Sequence, residues 1–245
     1  MSGNSEIFDT SALEDRIAGV DWTAIADTLD GQGFATIPAL LPTALCDAMI
    51  GHYADRDRFR KRIVMGRHGY GSGEYQYFGY PLPPEVAALR TRLYSPLAGI
   101  ANRWQEALGL APRFPEDHAA YLDTCHRAGQ ERPTPLLLKY GAGDFNRLHQ
   151  DVYGEHLFPL QVITLLSAPG RDFTGGELII TEQRARMQAR AEIVPLQRGD
   201  AAIIAVRERP GKGARGPMRM TMRHGVSRVH SGERNTLGII FHDAT

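Results

Sequence analysis

The sequence predicts an α+β protein in which N-terminal helices pack on a β core of sandwich or barrel type. Three observations carry this. Apolar residues recur at helical spacing from Asp21 onward. At Pro135 the texture changes to short runs rich in branched apolar residues. Turns bearing glycine or proline separate those runs at close intervals. Helices followed by a dense series of strands are the α+β pattern, not the alternating one of a parallel sheet. Strands so closely spaced suit a closed-edge arrangement, of which a jelly roll is one.

The chain has 245 residues, 42% of them hydrophobic, enough for a sizeable core in one integrated domain. A charged fraction of 23% argues against disorder. With 28 basic and 28 acidic residues, bulk charge calls for neither nucleic acid nor a membrane. The cysteines are Cys46 and Cys125, too far apart for a zinc-finger or thioredoxin-like motif and compatible with a reducing compartment. The N-terminus is polar and acidic, and no apolar run approaches the ~20 residues of a membrane span. A cytoplasmic protein without a membrane partner is expected.

Taken in order, residues 1–20 read as a flexible lead-in, and residues 21–135 as a helical N-terminal part. Trp22, Ile25, Ala26 and Leu29 mark a first helix that Gly31 and Gly33 stop. Phe34–Ile37 reads as a strand ended by Pro38. Pro42 opens a second helix carrying Leu45 and Met49. The charged run Arg56–Arg62 suggests a solvated helix face. Residues 66–83 (GRHGYGSGEYQYFGYPLP) form a Tyr/Gly-rich segment without helical period and read as an irregular loop or hairpin. Pro83 and Pro84 precede a helix from Glu85 to Leu108 that Pro96 should break or kink. Residues 111–135 read as a connection around some short structure. The core, 136–245, carries strand-like runs at Leu136–Tyr140, Leu160–Ser167, Glu177–Thr181, Ala201–Val206, Met218–His224 and Thr236–His242.

The chemistry concentrates at His149-Gln150-Asp151. In an extended segment residues two apart point to one side, so His149 and Asp151 can reach one ion. Two His and one carboxylate on one octahedral face leave three positions open, the arrangement of non-haem iron oxygenases. The tripeptide alone is a weak signal. A third ligand must come from a distant strand, with His224, His230 and His242 as candidates. His156 sits in a loop that could border a substrate mouth.

Three blocks then act together: LLLKYGAGDFNRLHQD, LLSAPGRDFTGGELII and HGVSRVHSGERNTLGIIFHD. On these, the chain from Leu136 to Asp243 resembles the prolyl-hydroxylase-like branch of the Fe(II)/2-oxoglutarate-dependent oxygenases. The resemblance implies a double-stranded β-helix (jelly-roll, cupin-like) core with the N-terminal helices packed on it. It implies Fe(II), 2-oxoglutarate and O2 as cofactors. It makes His149, Asp151 and His224 the metal ligands, with no catalytic acid or base beyond them. The third block reads H-x-V-x-x-V-x-x-G-x-R, which assigns Arg234 to the co-substrate. Tyr140 stands where related enzymes often place a second hydrogen-bond donor to 2-oxoglutarate; a core aromatic is the competing reading. A fixed guanidinium suits the far carboxylate because it can grip it with paired hydrogen bonds.

Two features bear on substrate. Basic residues crowd positions 207–228, where glycine and proline suggest a loop at the site's rim, leading into His224. That is an electrostatic footprint for a polyanion, with a solvated loop as the plain alternative. The aromatics of 66–83 could stack on bases, with a packed lid as the alternative. In position and texture that segment is similar to the aromatic lid of AlkB-type demethylases. The stretch after Arg234, NTLGIIFHD, lacks the second downstream Arg of that group. The closest resemblance is to a bacterial group predicted to oxidise damaged, alkylated nucleic acids. Tyr75, Tyr77, Arg219, Arg223 and His230 are the expected substrate contacts. Oxidative demethylation of a base is thus one expectation. A prolyl-type protein hydroxylase and a small-metabolite hydroxylase are the alternatives, and a non-catalytic jelly-roll binding module is the reading from a different class.

Overall fold

The computed structural model describes residues 10–111, 113–213 and 216–245. Residues 1–9 of the expected lead-in and Arg215 of the basic segment lie outside the described residues. Ser11–Ala18 is not a lead-in but helix α1, which buries Leu13 and Ile17, four residues apart on one face. Helix α2 (Trp22–Gln32) starts at Asp21, whose carboxylate accepts the Thr23 and Ala24 amides at 3.1 and 3.0 Å. It ends at Gly33 and leads into strand β1 (Phe34–Ile37). Helix α3 (Thr43–His52) follows Pro42, as expected.

The next segments depart from expectation. Arg56–Arg62 is a short 3-10 turn followed by strand β2 (Phe59–Val64), not a helix face. The Tyr/Gly-rich segment, expected as an irregular loop or hairpin, holds β3 (Gly71–Ser72) and β4 (Glu74–Phe78), so Tyr75 and Tyr77 are strand residues while Tyr70 and Tyr80 flank the strands. Helix α4 (Pro84–Ala107) runs unbroken through Pro96. The proline ring removes one amide donor, and the carbonyl it would have served belongs to the exposed Arg92, where water can take its place. Helix α4 buries Val86, Leu89, Leu93, Leu97, Ala101 and Trp104 at helical spacing. Helix α5 (His118–Arg127) completes the N-terminal layer.

The core strands are β5 (Leu136–Gly141), β6 (Phe145–His149), β7 (Leu160–Leu165), β8 (Phe173–Gly175), β9 (Leu178–Gln183), β10 (Arg190–Val194), β11 (Ala201–Ala205), β12 (Glu208–Gly213), β13 (Gly216–Val226) and β14 (Val229–Ile240). The expected basic loop at 207–228 is therefore largely the β12–β13 hairpin, with the expected strand Met218–His224 inside β13. The major sheet runs β1-β11-β7-β14-β5-β4-β2, and the minor sheet β10-β9-β13-β6-β3 with β12 on β13. All ladders between these strands are antiparallel. This is the α+β jelly roll the sequence leads one to expect.

His242, one of the three candidates for the distal ligand, and its neighbour Asp243 are both fully buried. Asp243 pairs with Arg90 of α4 at 2.7 Å and accepts from His126 of α5 and Tyr80, each at 2.8 Å. That network pins the end of β14 to the helical layer. Among the described residues no helix is long and apolar enough to cross a membrane.

Candidate metal centre and ligand cavity

The minor sheet brings the histidines together. His149 ends β6 and His224 sits opposite it on β13 as its Cα partner. Asp151 follows two residues after His149, on the same side. One ligand atom from each of the three lies within 4.8 Å of the others. His224 Nε2 is 3.3 Å from Asp151 Oδ2, and His149 Nε2 is 3.5 Å from Asp151 Oδ1. The His149 Nδ1 donates to the Arg147 carbonyl at 2.7 Å, which assigns a proton to Nδ1 and turns Nε2 towards the cluster.

Asp151 and His224 are held in the states that favour ligation. Burial opposes charge on Asp151, but the hydrogen bonds of both histidines outweigh it and hold the carboxyl well below its usual range. Burial, followed by the neighbouring His149 charge, pushes His224 down, towards the neutral imidazole. Burial opposes charge on His149 as well, but there the Asp151 hydrogen bond and charge outweigh it and push the imidazole up, so a divalent cation, which requires neutral imidazoles beside an ionised carboxylate, would displace its proton. The donor set, two nitrogens and one oxygen converging at the cavity wall, is one that would hold Fe(II).

That cavity, of about 370 Å³, lies between the sheets. The triad lines one wall. Tyr140 of β5 and Arg234 of β14, Cα partners in the major sheet, lie on another. The Arg234 guanidinium carbon is 5.7 Å from the Tyr140 ring centre and 6.0 Å from that of Phe173. Burial lowers the Arg234 pKa to about 10, so it remains a cation at neutral pH. No carboxylate lies within ion-pair distance of it among the described residues, and its Nε and the Tyr140 hydroxyl lack hydrogen-bond partners there. The Gly-Gly turn makes room for it: a Cβ on Gly176, where φ is +66°, would sit 2.9 Å from Arg234 Cδ.

The expected site residues divide. His149, Asp151, His224, Tyr140, Arg234 and Tyr75 line the one cavity. Tyr77 stands a layer behind, its hydroxyl donating to Tyr153 at 3.1 Å. Along β13, Met220, Met222 and His224 turn inward, so the alternate residues Arg219 and Arg223 face outward. Arg219 pairs with Glu208 at 2.7 Å. His230 is exposed and packs beside Gly175, away from the cavity lining. Arg209 is buried, ion-paired with Glu182 and bonded to the Asp30 and Gly31 carbonyls, so it is a structural tie, not a rim cation. His242 accepts the Phe158 amide and is no ligand of the cluster, and His156 is held through its backbone by Gln130.

Sequence reasoning passed over Tyr153 and Gln161. Tyr153 donates to Asp151 Oδ1 at 2.9 Å. Its signal was the same i+2 spacing that joins His149 to Asp151. Gln161 lies 3.2 Å from His224 Nε2, with a buried, unpartnered carbonyl oxygen. Its signal was an amide inside the buried strand LQVITL.

Comparison with known proteins adds a family. Residues 73–244 match the model of a family described as oxygenases catalysing oxidative methylation of damaged DNA. An uncharacterized protein of Mycobacterium tuberculosis strain H37Rv is 45% identical over 167 residues, 68% of this chain and 72% of that protein, and its counterpart in strain CDC 1551 matches equally. A Pseudomonas putida prolyl-4-hydroxylase shares the fold with a TM-score of 0.52 at 15% identity, covering 91% of this chain and 99% of that one. The non-heme α-ketoglutarate-dependent epimerase SnoN of nogalamycin biosynthesis does so with a TM-score of 0.54 at 14% identity, covering 94% and 82%.

Proposed function

The chain belongs to this family of oxygenases, and from that premise we propose that it is an Fe(II)- and 2-oxoglutarate-dependent dioxygenase that hydroxylates a C–H bond of an alkylated nucleic-acid base. The observation that carries the co-substrate assignment is Arg234: a buried cation without a carboxylate, in the same cavity as a His/Asp/His cluster. Leaving such a charge unpaired costs several kcal/mol unless an anionic ligand completes it.

His149, Asp151 and His224 would hold the metal, and Arg234 with the Tyr140 hydroxyl would take the far carboxylate of 2-oxoglutarate. When bound, iron and 2-oxoglutarate supply the oxidising power of O2, with succinate and CO2 as co-products. One oxygen atom enters succinate and the other the substrate. The apolar walls, Leu136, Leu138, Ile163 and Ile240, exclude water from the reacting centre. Asp151, ionised and hydrogen-bonded, serves as ligand rather than general base. Hydroxylation of an N-methyl group gives a hemiaminal, which collapses to the free base and formaldehyde. Chemistry of this kind removes a methyl group from damaged DNA.

Succinate formation from 2-oxoglutarate with added Fe(II), and formaldehyde release from N-methylated oligonucleotides against a panel of peptides and free amino acids, test the two halves of the proposal. Succinate without formaldehyde from any oligonucleotide would retain the oxygenase and reject the substrate.

A further inference from the structure

Three cavity-lining residues at its open side, Tyr70, Arg147 and Leu148, have no part in holding metal or co-substrate. Tyr70 is 50% exposed and Leu148 48%, and Arg147 is exposed. Their placement is built into the backbone. The Arg147 amide donates to the Tyr70 carbonyl at 2.8 Å, and Gly71 pairs with Asn146. The turn that presents Tyr70 is thereby fastened to the strand that presents His149. Behind the Tyr70 ring lies His68, stacked with a centroid separation of 5.3 Å.

Exposed arginines divide into those paired with a carboxylate and those, here and at positions such as Arg16 and Arg127, with none in ion-pair distance among the described residues. Exposed arginines such as Arg58, Arg62, Arg92 and Arg219 each pair with a carboxylate. Arg147 has none within ion-pair distance among the described residues, and neither have Arg207 and Arg223. Gln150, between the two ligands on this segment, donates to the Arg207 and Met222 carbonyls at 3.1 and 2.8 Å, which ties the backbone of Arg207 and of the residue before Arg223 to the metal segment.

We propose that this rim seats a single strand of nucleic acid: Arg147 binds the phosphate beside the target nucleotide, and Tyr70, backed by His68, stacks on the neighbouring base while the target base enters the cavity. This deepens the function proposed above and rests on it. A single strand follows from depth. His224 and Arg234 are buried within the cavity, so a base must leave any stack to reach them. An acidic peptide would use the arginines but leave the exposed ring without a partner, whereas a strand uses both.

The test is fluorescence anisotropy of the full chain with a labelled single-stranded 12-mer and with the matching duplex. The single strand should bind more tightly. Tyr70→Ala and Arg147→Ala should each weaken it about tenfold, the scale of one base–aromatic stack or phosphate contact. Tyr70→Phe should retain binding, Arg147→Ala should flatten the salt dependence by about one unit of slope, and Arg92→Ala should change nothing. Undiminished single-strand binding by both alanine variants overturns the rim while leaving the substrate class standing. Binding by the wild-type chain of an acidic peptide but of no oligonucleotide overturns both.

Discussion

The Tyr153 hydroxyl donates to Asp151 Oδ1 at 2.9 Å and itself accepts from Tyr77 at 3.1 Å. With Oδ1 so held, Oδ2 is the oxygen that faces His224. A tyrosine pair therefore aims one oxygen of the proposed iron ligand. Removing a group that orients a ligand usually costs about 10–100-fold in metal affinity. Tyr153→Phe should weaken Mn(II) or Co(II) binding by that factor, measured by titration calorimetry. Tyr77→Phe should do less, because it acts one bond further away.

Arg234→Met should separate stability from binding. Methionine fills much of the space without a buried charge, so the unliganded fold should be as stable as the wild type or more so. The melting-point rise that 2-oxoglutarate gives the metal-loaded wild type should vanish, and its KM should rise at least about tenfold, the loss of one charge-assisted contact. A parallel loss of unliganded stability would show that Arg234 is structural.

Gly73 passes directly over Tyr140. Its φ is +113°, and a Cβ there would lie 2.8 Å from Tyr140 Cδ1 and 3.1 Å from the Lys139 carbonyl. Gly73→Ala should cost ~1–3 kcal/mol through strain and overlap, a fall of roughly 2–12 °C in Tm for a chain of this size. Thermal unfolding monitored by circular dichroism gives the value.

The His149, Asp151 and His224 cluster was legible because its residue types and spacing reflect chemistry: a two-residue step at the end of β6, and a His-to-Arg interval from β13 in one sheet to β14 in the other. Helix α2 and β1 were legible from local caps and breakers. Strands β2 and β4 were not, since their conformation comes from pairing with each other and with the distant β5. In β4 the dense glycines around it hid the period, and in β2 the charges mimicked a solvated helix. Arg209 looked like a surface cation because its partners, Glu182 and the carbonyls at the end of α2, are remote in sequence. Helix α1 buries only two residues, too few for a periodic signal.

Stability should fall on mild acidification. Burial lowers the pKa of His118 from 6.5 to about 4, and its Nε2 donates to the Phe241 carbonyl at 2.8 Å. Between those values the unfolded chain takes up a proton that the folded chain refuses. The favourable contribution is complete above pH 6.5 and is lost as pH drops towards 4, by about 3 kcal/mol at most. His118→Gln keeps a donor in place of Nε2 and should flatten urea-unfolding stability across this window.

The central claim is that His149, Asp151 and His224 form one iron site serving 2-oxoglutarate turnover. The most direct measurement is succinate produced per mole of enzyme under O2, with and without Fe(II), for the wild type and for His224→Ala. The account predicts Fe(II)-dependent succinate from the wild type and none above background from the folded variant. Undiminished, iron-dependent succinate from His224→Ala would contradict it.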